Sequence, residues 1–188
     1  TLRLAISGQL GADALSSDEM METLKLCVSC KACRHECPTG VDMAKMKIEV
    51  LAARATRHGL SLRDRLVGYL PRYAGLASRF AFIANLRNSS PLLRNLFEKF
   101  AGISAKRALP AFRRDVFKST DVAGPEGGRE VVLFADTFNR AYERENLEAA
   151  LRVLVGGGYR VHMPRPVDLG RPLCCGRTYL AAGRVDEA

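Results

Sequence analysis

Cys27-Val28-Ser29-Cys30-Lys31-Ala32-Cys33-Arg34-His35-Glu36-Cys37-Pro38 reads C-x2-C-x2-C-x3-C-P, and the rest of the chain is organised around it. The first three cysteines recur every third residue and bring their thiolates into one concave turn. A cubane iron–sulfur cluster offers several iron corners close together, so ligands this near in sequence each take one, while the loop's N–H groups are left to bond the sulfides. Pro38 ends the wrap and turns the chain away. Structural zinc is the rival reading, and it is disfavoured because zinc knuckles use two separated C-x2-C pairs or a Cys/His mixture. In two-cluster ferredoxins the fourth cysteine of such a run ligates the other cluster. The sequence contains one copy of the motif. The fourth ligand is therefore Cys37, or Cys174 or Cys175, or a residue outside this sequence.

The 188 residues are 47% hydrophobic with a mean hydropathy of −0.06, a globular composition sufficient for one domain or two small ones. The chain starts at Thr1 and stops at Ala188 within a helical pattern, so the expectation is a piece of a longer polypeptide. Apolar runs are interrupted by arginine well short of a membrane span, and no signal peptide opens the chain. Four of the six cysteines fall in one metal motif and the other two are adjacent, which is no disulfide framework; a bridge between neighbours would be strained. A reducing compartment, the cytoplasm, is expected, with the inner face of the membrane as a further location.

The net charge of +9 is concentrated between Arg54 and Lys118, where fourteen basic residues face three acids. Such a field suits nucleic acid, an anionic membrane face or an acidic redox partner. Solvated helix faces account for it equally well, and no nucleic-acid motif or aromatic interleaving supports the first option.

Residues 1 to 15 have no strong period and read as an arm. Ser16 with Glu19 has the form of a capping box, and Met20, Met21, Leu24 and Leu26 give a short helix delivering the chain to Cys27. These methionines are assigned to core packing. Asp42 caps a second helix whose apolar residues Ala44, Ile48, Leu51, Ala52 and Ala55 recur until Gly59. Ser61 with Asp64 starts a third, which the spacing carries to a break at Pro71. Tyr73, Leu76, Ala77, Phe80, Ile83 and Ala84 form an apolar stripe, read as ordinary core in preference to a quinone groove. Ser90-Pro91 starts a helix carried by Leu92, Leu93, Leu96, Phe97 and Phe100 to Gly102.

From Ala101 to Arg129 the pattern dissolves into Pro110, Gly124-Pro125 and Gly127-Gly128, a linker with a boundary near 128. The class then changes. Val131 to Ala135 is a buried-strand run, Asn146 to Val155 is helical in spacing, Gly156-Gly157-Gly158 stops it, and Tyr159 to Met163 is a second strand. Strand, helix and strand at this length make a crossover with parallel strands. The loops at their carboxyl ends, residues 136–140 and 164–173, are where such folds place chemistry. Two parallel strands leave faces and edges bare, so further chain or another copy is expected to cover them. The second loop leads to Leu173-Cys174-Cys175-Gly176 and a helical stretch from Arg177. Two thiols at a helix start, followed by glycine, read as functional, either as metal ligands or as redox thiols. The fold class is mainly α, followed by a partial α/β (βαβ) module.

CVSCKACRHECPTGVDMAKMK resembles the iron–sulfur segment that follows the flavin domains of bacterial FAD-linked oxidases, the large D-lactate, glycolate and D-2-hydroxyglutarate dehydrogenase-like proteins. VVLFADTFNR through LCCGRTYLAAGRVDEA resembles the opening half of the cysteine-rich CCG domain of the same proteins, of glycolate oxidase and glycerol-3-phosphate dehydrogenase iron–sulfur subunits, and of heterodisulfide reductase. The resemblance implies a helical-ferredoxin-like module over 1–100, a linker over 101–128 and the first half of a CCG domain over 129–188. It also implies that Cys27, Cys30, Cys33 and Cys37 bind a [4Fe–4S] cluster and that Cys174, Cys175 and Gly176 form the CCG motif. The flavin domain, a second ferredoxin motif and the second CCG half are absent. FAD thus belongs to the intact protein and is not bound by this piece.

The expected function is electron transfer within a flavin-dependent 2-hydroxy-acid dehydrogenase. Its partners are a flavin domain, of the same polypeptide or a separate subunit, and a quinone or carrier as acceptor. Lys31, Arg34 and His35 lie inside the loop, where positive charge would stabilise a reduced cluster; keeping the loop soluble explains them as well. Two alternatives remain: a separate iron–sulfur relay subunit and, further off, a metal-stabilised nucleic-acid-binding module.

Overall fold

The computed structural model describes residues 1–118, 122–164 and 172–188. In chain order the helices before the sheet are α1 (Leu2–Ile6), α2 (Asp18–Leu24), α3 (Ala32–Glu36), α4 (Met43–His58), α5 (Leu62–Gly68), α6 (Leu70–Arg79), α7 (Ala81–Ala84), α8 (Leu86–Ser89) and α9 (Pro91–Ala101). Strands β1 (Val122–Ala123) and β2 (Arg129–Val132) follow, then α10 (Thr137–Ala141), α11 (Arg144–Gly156), β3 (Tyr159–His162) and α12 (Arg177–Ala181). The protein is mainly helical with one small sheet. The chain forms two compact units, Thr1–Gly68 with Gly176–Ala188, and Tyr69–Cys175.

The first unit is built on α4. Asp42 accepts from the Lys45 N–H at 2.9 Å and Gly59 closes the helix at a φ of 75°, so both expected ends hold. α4 buries Ala44 and Val50, and Val50 joins Leu2, Ala5, Ala14, Met20 and Leu24 in one core. Met20 is fully buried, as its assignment to packing required. The N-terminal stretch is not an arm: Leu2 and Ala5 of α1 belong to this core, a short amphipathic turn too brief to register as a period. The cap of α2 is Ser17, whose hydroxyl accepts from the Met20 N–H at 3.2 Å, while Ser16 instead donates to the Asp13 carbonyl. Ser61 and Asp64 bond reciprocally at the start of α5, with Oγ–Oδ2 at 2.6 Å and N–Oγ at 3.1 Å. α12 packs on α4 and α5. The approach is close: a Cβ on Gly183 would stand 2.4 Å from the Leu51 backbone.

In the second unit the helix break falls at Gly68–Tyr69 and not at Pro71, which occupies the first turn of α6, where its missing N–H costs nothing. The stripe read as core is largely exposed: Leu76, Phe80 and Ile83 are each more than half accessible, and α6 buries Pro71, Ala74 and Ser78 on its other side. α9 starts with Ser90 accepting from the Leu93 N–H and ends at Gly102 in the left-handed region, as expected, yet Leu92, Leu96 and Phe100 are also exposed. Residues 102–118 contain no helix and are laid down by side chains. Asn85 and Asn88 each exchange two hydrogen bonds, with Phe112 and with Leu109, and the buried Arg87 donates to the Ile103, Ser104 and Arg107 carbonyls. β2 and β3 are parallel and joined through α11, as the strand–helix–strand pattern required. The strand expected over 131–135 runs instead from Arg129 to Val132 and is not buried, with Val132 and Phe134 both exposed. The sheet order is β1-β3-β2, with β1 antiparallel to β3, a short addition that no sequence signal marked. Phe117, Ala135, Leu147 and Met163 form this unit's core.

Candidate functional site

The four motif cysteines all lie in the first unit, on the segment between α2 and α4. All are free; Cys30 is exposed and Cys27, Cys33 and Cys37 are half-buried. Cys27 follows directly on α2, its N–H bonded to the Leu24 carbonyl at 3.0 Å. Ser29 and Lys31 then take φ values of 56° and 64°, so Cys30 sits between two left-handed non-glycine residues. Such residues cost on the order of 1–2 kcal/mol each and persist where the surroundings hold them. Lys31 opens α3, a one-turn helix carrying Cys33 that sequence reading missed because five residues show no period. The Cys37 N–H closes that turn on the Cys33 carbonyl at 3.0 Å, and Gly40 N–H bonds the Cys37 carbonyl at 2.9 Å.

Two sulfurs already make hydrogen-bond contacts. The Met43 N–H, at the open end of α4, donates to Cys33 Sγ at 3.3 Å. Cys37 Sγ lies 3.1 Å from the Thr39 hydroxyl, which above all holds the Cys37 thiol below its ordinary pKa; the Val41 and Thr39 N–H groups add to this, and burial opposes it. The lowered Cys37 pKa favours thiolate, the form that ligates metal. Lys31, expected to face the loop, pairs with Asp42 at 3.9 Å, and His35 lies 3.6 Å from Glu36. The Asp42 carboxyl is held low by the Lys45 N–H first, with Lys31 and Arg34 contributing and burial working against them.

Sequence reading missed two other cations. Lys47, on α4, sends its ammonium back to the Leu24 carbonyl at 3.1 Å and the Cys27 carbonyl at 2.5 Å. Arg177, on α12, donates to the Ser29 carbonyl at 3.4 Å. Both positions lie inside the stretches that carry the resemblance, but spacing alone marks neither, because each becomes significant only once a helix is set against the loop. Together with Cys27, Val28, Lys31 and Ile48 they border a cavity of about 260 Å³.

Four free thiols at C-x2-C-x2-C-x3-C spacing are the donor type an iron–sulfur cluster takes, and two of them, Cys33 and Cys37, make hydrogen-bond contacts. The thiols stand apart, however; among the described residues no three Cys, His, Asp or Glu side chains are close enough together to hold a metal ion. Cys174 and Cys175 end the second unit, half-buried and exposed respectively, just before Gly176, whose φ of 73° starts α12. Residues 136–140, expected as an open strand-end loop, form α10, capped by Asp136 accepting from Phe138 and Asn139. Most of the loop expected over 164–173 lies outside the described residues. Among those described, no helix is long and apolar enough to cross a membrane.

No family model matches the chain, and no solved structure does. The chain is similar to D-2-hydroxyglutarate dehydrogenase of Escherichia coli K12, 36% identical over 87 residues, which are 46% of this chain and 8% of that protein. It is also similar to the protein of the same name from Pantoea ananatis (23% identity; 77% of this chain, 15% of the relative) and from Pseudomonas putida KT2440 (23%; 84% and 17%). The chain thus spans 8 to 17% of the length of these curated relatives and is related in sequence to 2-hydroxy-acid dehydrogenases.

Proposed function

We propose that this chain is the electron-transfer portion of a flavin-dependent 2-hydroxy-acid dehydrogenase, with Cys27, Cys30, Cys33 and Cys37 as the ligands of a [4Fe–4S] cluster. The observation that carries the reading is the C-x2-C-x2-C-x3-C-P run of four free thiols between α2 and α4. The sequence relationship to D-2-hydroxyglutarate dehydrogenases supports it and makes D-2-hydroxyglutarate the first substrate to try on the larger protein. When bound, the cluster supplies one-electron uptake and release, which links a two-electron flavin to single-electron acceptors such as quinones.

The chain's own groups have definable parts in this. Ser29 and Lys31 turn the backbone on either side of Cys30. The Met43 N–H orients the Cys33 sulfur, and the Thr39 hydroxyl favours the thiolate of Cys37. Gathering the four thiols asks for side-chain rotation and loop closure, with α2 and α4 as fixed ends. We read residues 1–100 as the helical-ferredoxin-like module, 101–128 as its connection and 129–188 as the first half of a CCG-type domain. In that arrangement Cys174 and Cys175 are available to a second metal or redox site. The charge carried by residues 54–118 suits an acidic partner or an anionic membrane face.

The test is anaerobic reconstitution of the wild-type chain and of single Cys→Ser variants at 27, 30, 33 and 37. The wild type is expected to gain a visible absorption that dithionite bleaches and a soluble quinone analogue restores. The Cys27, Cys30 and Cys33 variants are expected to lose it. A wild-type chain that takes up no iron, or four variants indistinguishable from it, contradicts the proposal.

A further inference from the structure

We propose that Lys47 and Arg177 form a two-sided cationic clamp on the cysteine loop, acting as positioning residues that hold the Cys27–Cys30 arm and make reduction of the site easier. This rests on the reading of the motif as a cluster-binding loop.

Lys47 stands on α4, twenty residues beyond Cys27, and its ammonium spans two carbonyls. That of Leu24, at the last residue of α2, already accepts from the Cys27 N–H and takes the ammonium as a second donor at a helix end where a cation is favoured; that of Cys27 belongs to the first ligand. One side chain therefore ties the end of α2 to the ligand that follows it. Arg177 reaches the same loop from α12 and bonds the carbonyl of Ser29, a residue with a φ of 56°. A left-handed serine is stable only where its neighbours hold it, and this bond ties its carbonyl to a packed helix. α12 is itself fixed by the contact of Gly183 with the Leu51 backbone of α4. The loop is thus held from α4 directly by Lys47 and, through α12, by Arg177.

Charge gives the clamp its second effect. Both cations spend their donors on backbone carbonyls, and neither is paired with a carboxylate among the described residues. Two positive charges therefore sit on the backbone carbonyls of Cys27 and of Ser29, the residue before Cys30. A cluster held by four thiolates is anionic and becomes more so on gaining an electron, so neighbouring cations favour the reduced form. Lys31, by contrast, is partnered by Asp42 and contributes less.

The experiment compares Lys47→Met, Arg177→Met and the conservative Lys47→Arg in the full chain. Hydrogen exchange on the unloaded protein reads positioning: both Met variants should lose protection at the Cys27 amide, which bonds the Leu24 carbonyl, and Lys47→Arg should keep it. A mediated titration of the reconstituted protein, followed by EPR with dithionite as reductant and ferricyanide as oxidant, reads charge. Each Met variant should make reduction about tenfold less favourable, roughly 59 mV for one electron, with Lys47→Arg near wild type. Met variants with wild-type exchange and wild-type potential overturn the clamp. If Lys47→Met retains no cluster, the Arg177→Met potential and the exchange data decide. Failure of the wild type to load iron is a distinct result, and it counts against the cluster reading and not against the clamp's hold on the loop.

Discussion

Ser29 and Gly183 have similar backbone angles for opposite reasons. Ser29 reaches a φ of 56° because the loop turns there, with nothing else needed from its side chain, so Ser29→Gly should leave the unfolding free energy from urea titration unchanged or raise it by up to about 1 kcal/mol. A loss would mean that the hydroxyl has a role beyond the turn. Gly183 has a φ of 72° and no room for a Cβ beside Leu51, so Gly183→Ala should cost roughly 2–3 kcal/mol and loosen α12. In the second unit, Arg113 bonds Asp115 at 2.9 and 3.0 Å and, with Arg144 nearby, holds its carboxyl at about 2, down from an ordinary 3.8. Because the folded pKa is depressed, this stabilisation is complete above the ordinary value and disappears as pH falls through about 2. Asp115→Asn should therefore be less stable than wild type at neutral pH, with the difference closing across that window. An equal difference at both ends would remove the charge argument. At this scale the sequence marked the cysteines and Asp42, because their function lies in local spacing. It gave no sign of Lys47 or Arg177, whose carbonyl partners are 20 to 148 residues away.

Helix ends were the most readable elements, because a cap needs only its neighbours. Asp42 shows it: the carboxylate bonds the Lys45 N–H and is also paired with Lys31. Asp42→Ala should cost about 1 kcal/mol in chemical denaturation and, since α4 starts beside Cys33, should also lower cluster uptake. Helix faces were readable only in part. The 73–84 and 92–100 stripes are amphipathic as the period says, but a period does not say whether a partner is present, and these stripes lie open. Leu92, 76% exposed, should therefore tolerate serine within ~0.5 kcal/mol, whereas the fully buried Met20 should lose about 2–5 kcal/mol on replacement by alanine. A Leu92→Ser loss as large as that of Met20→Ala would put the stripe back in the core. The parallel β2–β3 pair was foreseen from two short apolar runs and a helix of the right length between them. β1 was not, since two residues carry no alternation.

Over the whole chain, the compact units do not follow sequence order. The last thirteen residues, from Gly176, belong with Thr1–Gly68, so the segment after Cys174-Cys175 contributes Arg177 to the unit that holds the cysteine loop. Linear reading could not give this, because it assigns a C-terminal helix to the module before it. The observed division also falls at Gly68–Tyr69, so α6 to α9, read as part of the helical module over 1–100, are in the unit that contains the sheet. What linear reading marked most strongly, the four-cysteine run, remains the centre of the functional account. The most direct measurement is iron, acid-labile sulfide and zinc per chain, with EPR before and after dithionite, on protein purified or reconstituted without oxygen. The account expects about four irons and four sulfides per chain and a paramagnet that appears on reduction; stoichiometric zinc with no iron uptake would contradict it.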